Sequence, residues 1–191
     1  LVSVLLRYWI DPNEGSSRDT VKVKCNFYDD GRVETCVEST MDQLHTYGDH
    51  SQVNMLRIQH RRASQELLFL CDGTAIYGRW DEKRHEPEFD YATALLAHNG
   101  RMLDLGSGER LGFGLEHMDK RIYRNTLQRA DTTIIVDYDG CQYMSTGAST
   151  KIRVETSDLN VLPIIDFKVR SFDRQGLSSL SLNVGAVCYE T

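Results

Sequence analysis

Tyr8-Trp9-Ile10-Asp11-Pro12-Asn13-Glu14-Gly15-Ser16-Ser17-Arg18-Asp19 sets three hard-oxygen side chains, Asp11, Asn13 and Asp19, around a proline and a glycine, with an aromatic pair in front. Oxygens on a tight turn are what a calcium ion needs, because a hard cation takes several carboxylate, amide and carbonyl ligands from a flexible loop. The EF-hand pattern is not met. Counted from Asp11, its glycine position holds Ser16 and its bidentate-acid position holds Lys22. A surface turn with Asx-type hydrogen bonds accounts for the same residues, so the local pattern leaves both readings open.

Downstream of the loop, residues 20–27 alternate, with Val21, Val23, Cys25 and Phe27 on one face and Lys22, Lys24 and Asn26 on the other. That is the period-two signature of a half-buried strand. Asp29-Asp30-Gly31 offers a hairpin turn and Val33-Glu34-Thr35-Cys36-Val37 the return strand. Residues 38–50 are polar and read as loop. Ser51 is placed to cap a short helix carrying Val53, Leu56 and His60, followed by a solvated basic cluster, His60-Arg61-Arg62.

The remainder of the chain reads mostly as strands. Residues 65–71 form a buried strand that turns at Asp72-Gly73; 79–90 is a charged loop holding Pro87; 91–97 fits helix or strand. The glycine-rich run 106–114 lacks the Gly-Lys-Ser/Thr ending of a phosphate loop and is read as turns between strands. Residues 119–130 are expected to form an exposed helix. Residues 132–138, 151–156, 161–167 and 180–187 are expected strands, with Pro163 at a strand edge or start. The fold class is therefore α+β and β-rich, with many short strands.

Composition bounds the function. The 191 residues suffice for one large domain or two small ones, and 40% hydrophobic with 26% charged residues is ordinary for a globular chain. A net charge of −6 argues against nucleic acid as partner. No apolar run approaches the ~20 residues that span a bilayer. Leu1 to Leu6 is too short for a signal peptide, and the chain reads as an excised piece. The six histidines are scattered, and no catalytic constellation stands out. Of the five cysteines, Cys25, Cys36, Cys71, Cys141 and Cys188, none lies in a C-x-x-C pair. The odd count leaves one thiol over if the protein is oxidised, and five buried thiols is the alternative.

Several blocks, in this order, resemble the C-terminal propeptide of fibrillar collagens. They are Tyr8 to Gly15, Asp19, Lys22-Val23-Lys24-Cys25-Asn26-Phe27, Glu34-Thr35-Cys36-Val37, Gln52-Val53-Asn54-Met55 and Cys71. Asp139-Gly140-Cys141, Leu162-Pro163-Ile164-Ile165-Asp166 and Val184-Gly185-Ala186-Val187-Cys188 complete the set. The short interval from Cys36 to Cys71 is nearer the minor fibrillar collagens than the major ones. The resemblance covers most of the chain as one N-terminally truncated domain. It implies a fibrinogen-like fold of base and petal, with the stalk missing. It also implies a non-enzymatic, secreted extracellular-matrix domain that associates with other collagen α-chains, as homotrimer or heterotrimer. That association registers the chains for triple-helix formation, after which a procollagen-processing metalloproteinase removes the domain.

The resemblance also assigns residues. Calcium would be bound by the side chains of Asp11, Asn13 and Asp19 and by backbone oxygens of Glu14 and Ser16. Cys36 would bridge to Cys188 and Cys71 to Cys141, leaving Cys25 unpaired here because its family partner lies upstream. Ser16 stands where family members usually carry the cysteine that links neighbouring chains, so that covalent link is not expected. The chain has no Asn-x-Ser/Thr sequon. The family's chain-selection segment falls in the shortened 38–51 region, and residues 79–130 lack clear matches. The rival readings are a calcium-dependent fibrinogen-like or lectin-like recognition module and a secreted enzyme using scattered histidines and aspartates.

Overall fold

A computed structural model describes residues 5–15, 18, 20–38, 51–115, 123–170 and 178–191. Its strands in chain order are β1 (Leu5–Ile10), β2 (Val21–Phe27) and β3 (Val33–Val37), then helix α1 (Ser51–Gln59). There follow β4 (Arg62–Asp72), β5 (Arg79–Asp81), β6 (Glu86–Glu88), β7 (Ala94–Ala97), β8 (Met102–Asp104), β9 (Glu109–Leu115) and β10 (Tyr123–Gln128). The last four are β11 (Thr132–Asp139), β12 (Ala148–Thr156), β13 (Ile164–Lys168) and β14 (Ser179–Glu190), with a 3-10 turn Gly140–Tyr143 between β11 and β12. The expected β-rich class holds.

One antiparallel sheet of nine strands organises the chain, in the order β1-β2-β3-β14-β4-β12-β11-β10-β9. The last strand in sequence thus lies near its middle, where β14 is held between β3 and β4. Where Gly185 crosses β4 the register shifts, and a Cβ on it would stand 2.9 Å from the Glu66 carbonyl oxygen. Glycine is what permits that approach.

Alternation decides which face is buried. On β4, Ala63, Gln65, Leu67, Phe69 and Cys71 point inward while Glu66 and Leu70 face solvent. On β12, Thr150, Ile152, Val154 and Thr156 do the same. Against this inner face pack Val53 and Leu56 of α1 and the three-stranded sheet β13-β7-β8, with Phe69 meeting Phe167 edge-on at 5.6 Å. Gln65 ties the layers: its Nε2 donates to the Gly185 carbonyl at 3.2 Å, and its Oε1 accepts the Ile164 N–H at 2.8 Å. The outer face is a charge ladder, for example Lys151 with Glu66 at 3.1 Å.

Five sequence readings need correction or resolution. Residues 79–90 are not a loop but the hairpin β5–β6, with Pro87 opposite Trp80. Its turn is closed by Arg84, which bonds Asp81 and Glu88, so part of its charge is paired internally while residues 82–86 stay exposed. Within 119–130, residues 123–128 form β10 instead of an exposed helix, because that segment is flanked on both sides by β9 and β11 and buries Leu127. Tertiary pairing overrides local propensity there. The ambiguous 91–97 segment resolves to strand β7. The glycine-rich run is a turn only as far as Gly108, beyond which β9 begins. Phe27, placed on the buried face, is 42% exposed at the end of its strand.

Candidate metal centre and disulfide frame

Strand β1 delivers the Asp11–Gly15 turn to the core, with Ile10 packed against it and Pro12 buried. The turn is folded by its own polar groups. The Glu14 N–H donates to the Asp11 carbonyl at 3.2 Å, and the Gly15 N–H donates to Asn13 Oδ1 at 3.0 Å, which is an Asx turn. Glu14 takes the left-handed region at φ 53°, a conformation that turns its carbonyl away from the extended path of the chain.

Helix α1 holds the turn from behind. Gln59 Nε2 donates to the Pro12 carbonyl at 2.9 Å, and Gln52 Nε2 reaches Asp11 Oδ1 at 3.5 Å. The two glutamines are seven residues apart, two helical turns, and so share one face. Gln52 is fully buried there. The sequence reading gave neither residue a role. The available signal was a pair of amides at i and i+7 on a helix that buries Gln52, Val53 and Leu56 and leaves Gln59 exposed.

Of the five residues expected around calcium, Asp11, Asn13 and Glu14 lie together on this turn, while Ser16 and Asp19 lie outside the described residues. The donors the turn offers are carboxylate, amide and carbonyl oxygens only, a set that fits a hard cation and not a soft one. Elsewhere among the described residues, Glu34, Cys36 and Cys188 approach within 4.8 Å of one another. Those two sulfurs are joined to each other, however, and offer no thiolate.

Two disulfides frame the large sheet. Cys36 on β3 and Cys188 on β14 stand directly opposite in register and are bonded across 152 residues of sequence. Cys71 at the end of β4 bonds Cys141 in the 3-10 turn across 70 residues. In the chain-entropy treatment, loops of these lengths restrict the unfolded chain by about 4–5 kcal/mol each. Cys25 on β2 is free and buried, and burial pushes its thiol above the ordinary range. It therefore carries little thiolate and is a packing group in this fold.

Ion pairs fasten the middle of the chain. Arg101 Nη1 bonds Asp131 at 2.7 Å, joining the β7–β8 turn to the start of β11. Arg170 grips Asp104 at 2.7 Å, joining β8 to the chain beyond β13. Of the histidines, His60 donates from Nδ1 to the Leu56 carbonyl at 2.7 Å and packs on Tyr189 at 5.8 Å, a structural placement. His85 lies in the β5–β6 turn and His98 after β7, while His45, His50 and His117 lie outside the described residues.

The model of the family described as "Fibrillar collagen C-terminal domain" matches residues 5–48, the segment that holds β1, the Asp11–Gly15 turn, β2 and β3. The collagen alpha-1(XXVII) protein of Rattus norvegicus is 30% identical over 100 residues, which is 52% of this chain and 5% of that protein. Two collagen alpha-1(XXVII) proteins of Danio rerio also match. One is 32% identical over 98 residues, 51% of this chain and 5% of that protein. The other is 27% identical over 183 residues, 95% of this chain and 9% of that protein. The chain thus spans less than a tenth of the length of these relatives. The resemblance drawn from the sequence is borne out, on the minor fibrillar side of the family.

Proposed function

We propose that this chain is a collagen C-propeptide-type trimerisation domain that associates procollagen α-chains and sets their register. A triple helix propagates only from three strands aligned in Gly-X-Y stagger. Joining them at one end raises their mutual concentration and fixes that stagger. The observation that carries the reading is the family match across β1 to β3. It includes the turn bearing Asp11, Asn13 and Glu14, and the sheet beside that turn is closed by a disulfide spanning 152 residues.

The reading extends to calcium, held by side chains of Asp11, Asn13 and Asp19 and backbone oxygens of Glu14 and Ser16. The role is structural and not enzymatic, the location is the extracellular matrix, and a procollagen-processing metalloproteinase is a later partner. With serine at position 16, neighbouring chains are held together without a covalent link through that residue. Among the described residues, no helix is long and apolar enough to cross a membrane.

Light scattering of the chain with and without a calcium chelator tests this. The expected species in calcium has three times the chain mass of 21.8 kDa and dissociates when the ion is removed. A monomer indifferent to calcium overturns the reading. A monomer that binds calcium favours a lectin-like recognition module instead.

A further inference from the structure

Asp139 ends β11 with only 1% of its surface exposed, and the partners of its carboxyl are neutral. Thr150 Oγ1 donates to Oδ1 at 2.6 Å and the Gly78 N–H donates to Oδ2 at 3.1 Å. The backbone N–H of Cys141 also acts on it, and it reaches Thr150 Oγ1 at 3.3 Å. Gly140 makes this close approach possible, since a Cβ there would stand 2.5 Å from the Ser149 carbonyl oxygen.

The charged and titratable groups on the elements packed around Asp139 are turned elsewhere. Arg79 of β5 lies over the Tyr91 ring at 4.8 Å, and Asp81 is bonded by Arg84 at 2.6 Å. Asp137 of β11 and Lys151 of β12 approach each other at 3.8 Å. Asp72, at the end of β4, lies in register with Ser179. The Tyr138 hydroxyl shares a hydrogen bond with Ser149 at 3.1 Å, and Tyr143 of the 3-10 turn stacks near Trp80 at 5.7 Å. Among the described residues none of these acts on Asp139, and what does act on it is burial and the hydrogen bonds of Thr150, Gly78 and Cys141.

Position gives the carboxyl leverage. Through Gly78 it fastens one end of the buried connector Thr74, Ala75, Ile76 and Tyr77, whose other end leaves β4 just after Cys71. We propose that Asp139 is a proton-operated latch, closed in mild acid and easier to open at neutral pH, holding this connector and the β5–β6 hairpin against the disulfide-bearing end of β11 and β12. The protonated acid gives its O–H to Thr150 while Oδ2 keeps accepting from Gly78. The ionised form is a buried charge with no cation against it among the described residues, so any opening that wets it becomes more populated.

Burial pushes the Asp139 carboxyl up to about 6, against the opposing pull of Thr150, Gly78 and Cys141. Because the folded value lies above the ordinary one, the stability it contributes is full below about pH 4 and is lost as pH rises to about 6. The unfolding equilibrium changes by roughly two orders of magnitude over that span.

Trp80 reports on the latch directly, since it sits in β5 against Tyr143, and the chain has 2 tryptophans, so Trp9→Phe isolates its signal. In that background, Trp80 fluorescence is expected to titrate with a midpoint near pH 6, and adding Asp139→Asn is expected to abolish the transition. Thr150→Val, which removes a donor to the ionised form, is expected to raise the midpoint by roughly one unit. A flat signal from acid to neutral pH, or a transition that survives Asp139→Asn, overturns the proposal. Should Asp139→Asn not fold, an unmoved midpoint in Thr150→Val overturns it, because a histidine titrating elsewhere is blind to that change.

Discussion

Gln59 donates its side-chain amide to the carbonyl oxygen of Pro12 at 2.9 Å, so a helix 47 residues downstream sets the position of the turn that carries Asp11 and Asn13. The turn's internal hydrogen bonds give it a shape, and this contact gives it a place on the core. Under the proposed calcium reading, a cation drawing on Asp11 and Asn13 would find two of its ligands already positioned, which lowers the ordering cost of binding.

Removing that contact tests the coupling. Gln59→Ala is expected to destabilise the fold by about 0.5–1.5 kcal/mol, the net value of one such bond, and to weaken calcium binding in titration calorimetry. Equal calcium affinity in the variant would show that the turn holds its shape without α1.

Asp11→Ala and Asn13→Ala remove oxygen donors from the turn itself. Each is expected to shrink or abolish the rise in melting temperature that added calcium produces, since a ligand that binds only the folded state stabilises it by mass action. A thermal shift with calcium as large in Asp11→Ala as in the unaltered chain would place the ion elsewhere.

The two disulfides separate by loop length. Cys36→Ser with Cys188→Ser is expected to cost about 4–5 kcal/mol, slightly more than Cys71→Ser with Cys141→Ser, because the longer loop constrains the unfolded chain more. Cys25→Ala is expected to cost only the packing of one buried thiol, and a maleimide is expected to label Cys25 only after denaturant. Urea unfolding and mass spectrometry read all three. Rapid labelling of Cys25 in the native chain would contradict its burial.

Legibility in the sequence followed the range of the interactions. Strands β2 and β3, with the turn at Asp29–Gly31, were readable because alternation and turn chemistry are local. So was α1, from its cap and spacing. Strand β10 was not, since the Arg-rich 119–130 segment carries no alternation that outweighs its helix formers. Its strand state depends on neighbours β9 and β11. Hairpin β5–β6 was hidden in the same way, because Arg84 bonding Asp81 and Glu88 looks from composition like a solvated loop. At the candidate site the oxygen-bearing side chains of the turn were visible, but Gln52 and Gln59 were not, since amides on a distant helix announce nothing until the chain is folded.

The register of β4 makes adjacent residues opposites. Phe69 is fully buried against Phe167, whereas Leu70 is 43% exposed. Phe69→Ala is expected to cost about 3–5 kcal/mol in urea unfolding and Leu70→Ala within about 0.5 kcal/mol of nothing. Reversed costs, with Leu70→Ala the expensive change, would mean the strand is slipped by one residue, which exchanges every inward and outward side chain.

Stability against pH has two limbs of opposite sign. Asp131, bonded by Arg101, and Asp104, where burial is outweighed by Arg170 and the Gly106 N–H, both titrate below the ordinary carboxylate range. Their contribution is present above about pH 4 and is lost as pH falls through their lowered values. Both pairs are about a third exposed, so each amounts to no more than about 1 kcal/mol. Asp139 acts the other way, weakening the fold as pH rises towards about 6. The melting temperature is therefore expected to peak at about pH 4 at fixed ionic strength, with Asp139→Asn flattening the neutral side and Asp131→Asn the acid side. If Asp139→Asn leaves the neutral side as steep as before, that slope belongs to the histidines and not to the buried carboxyl.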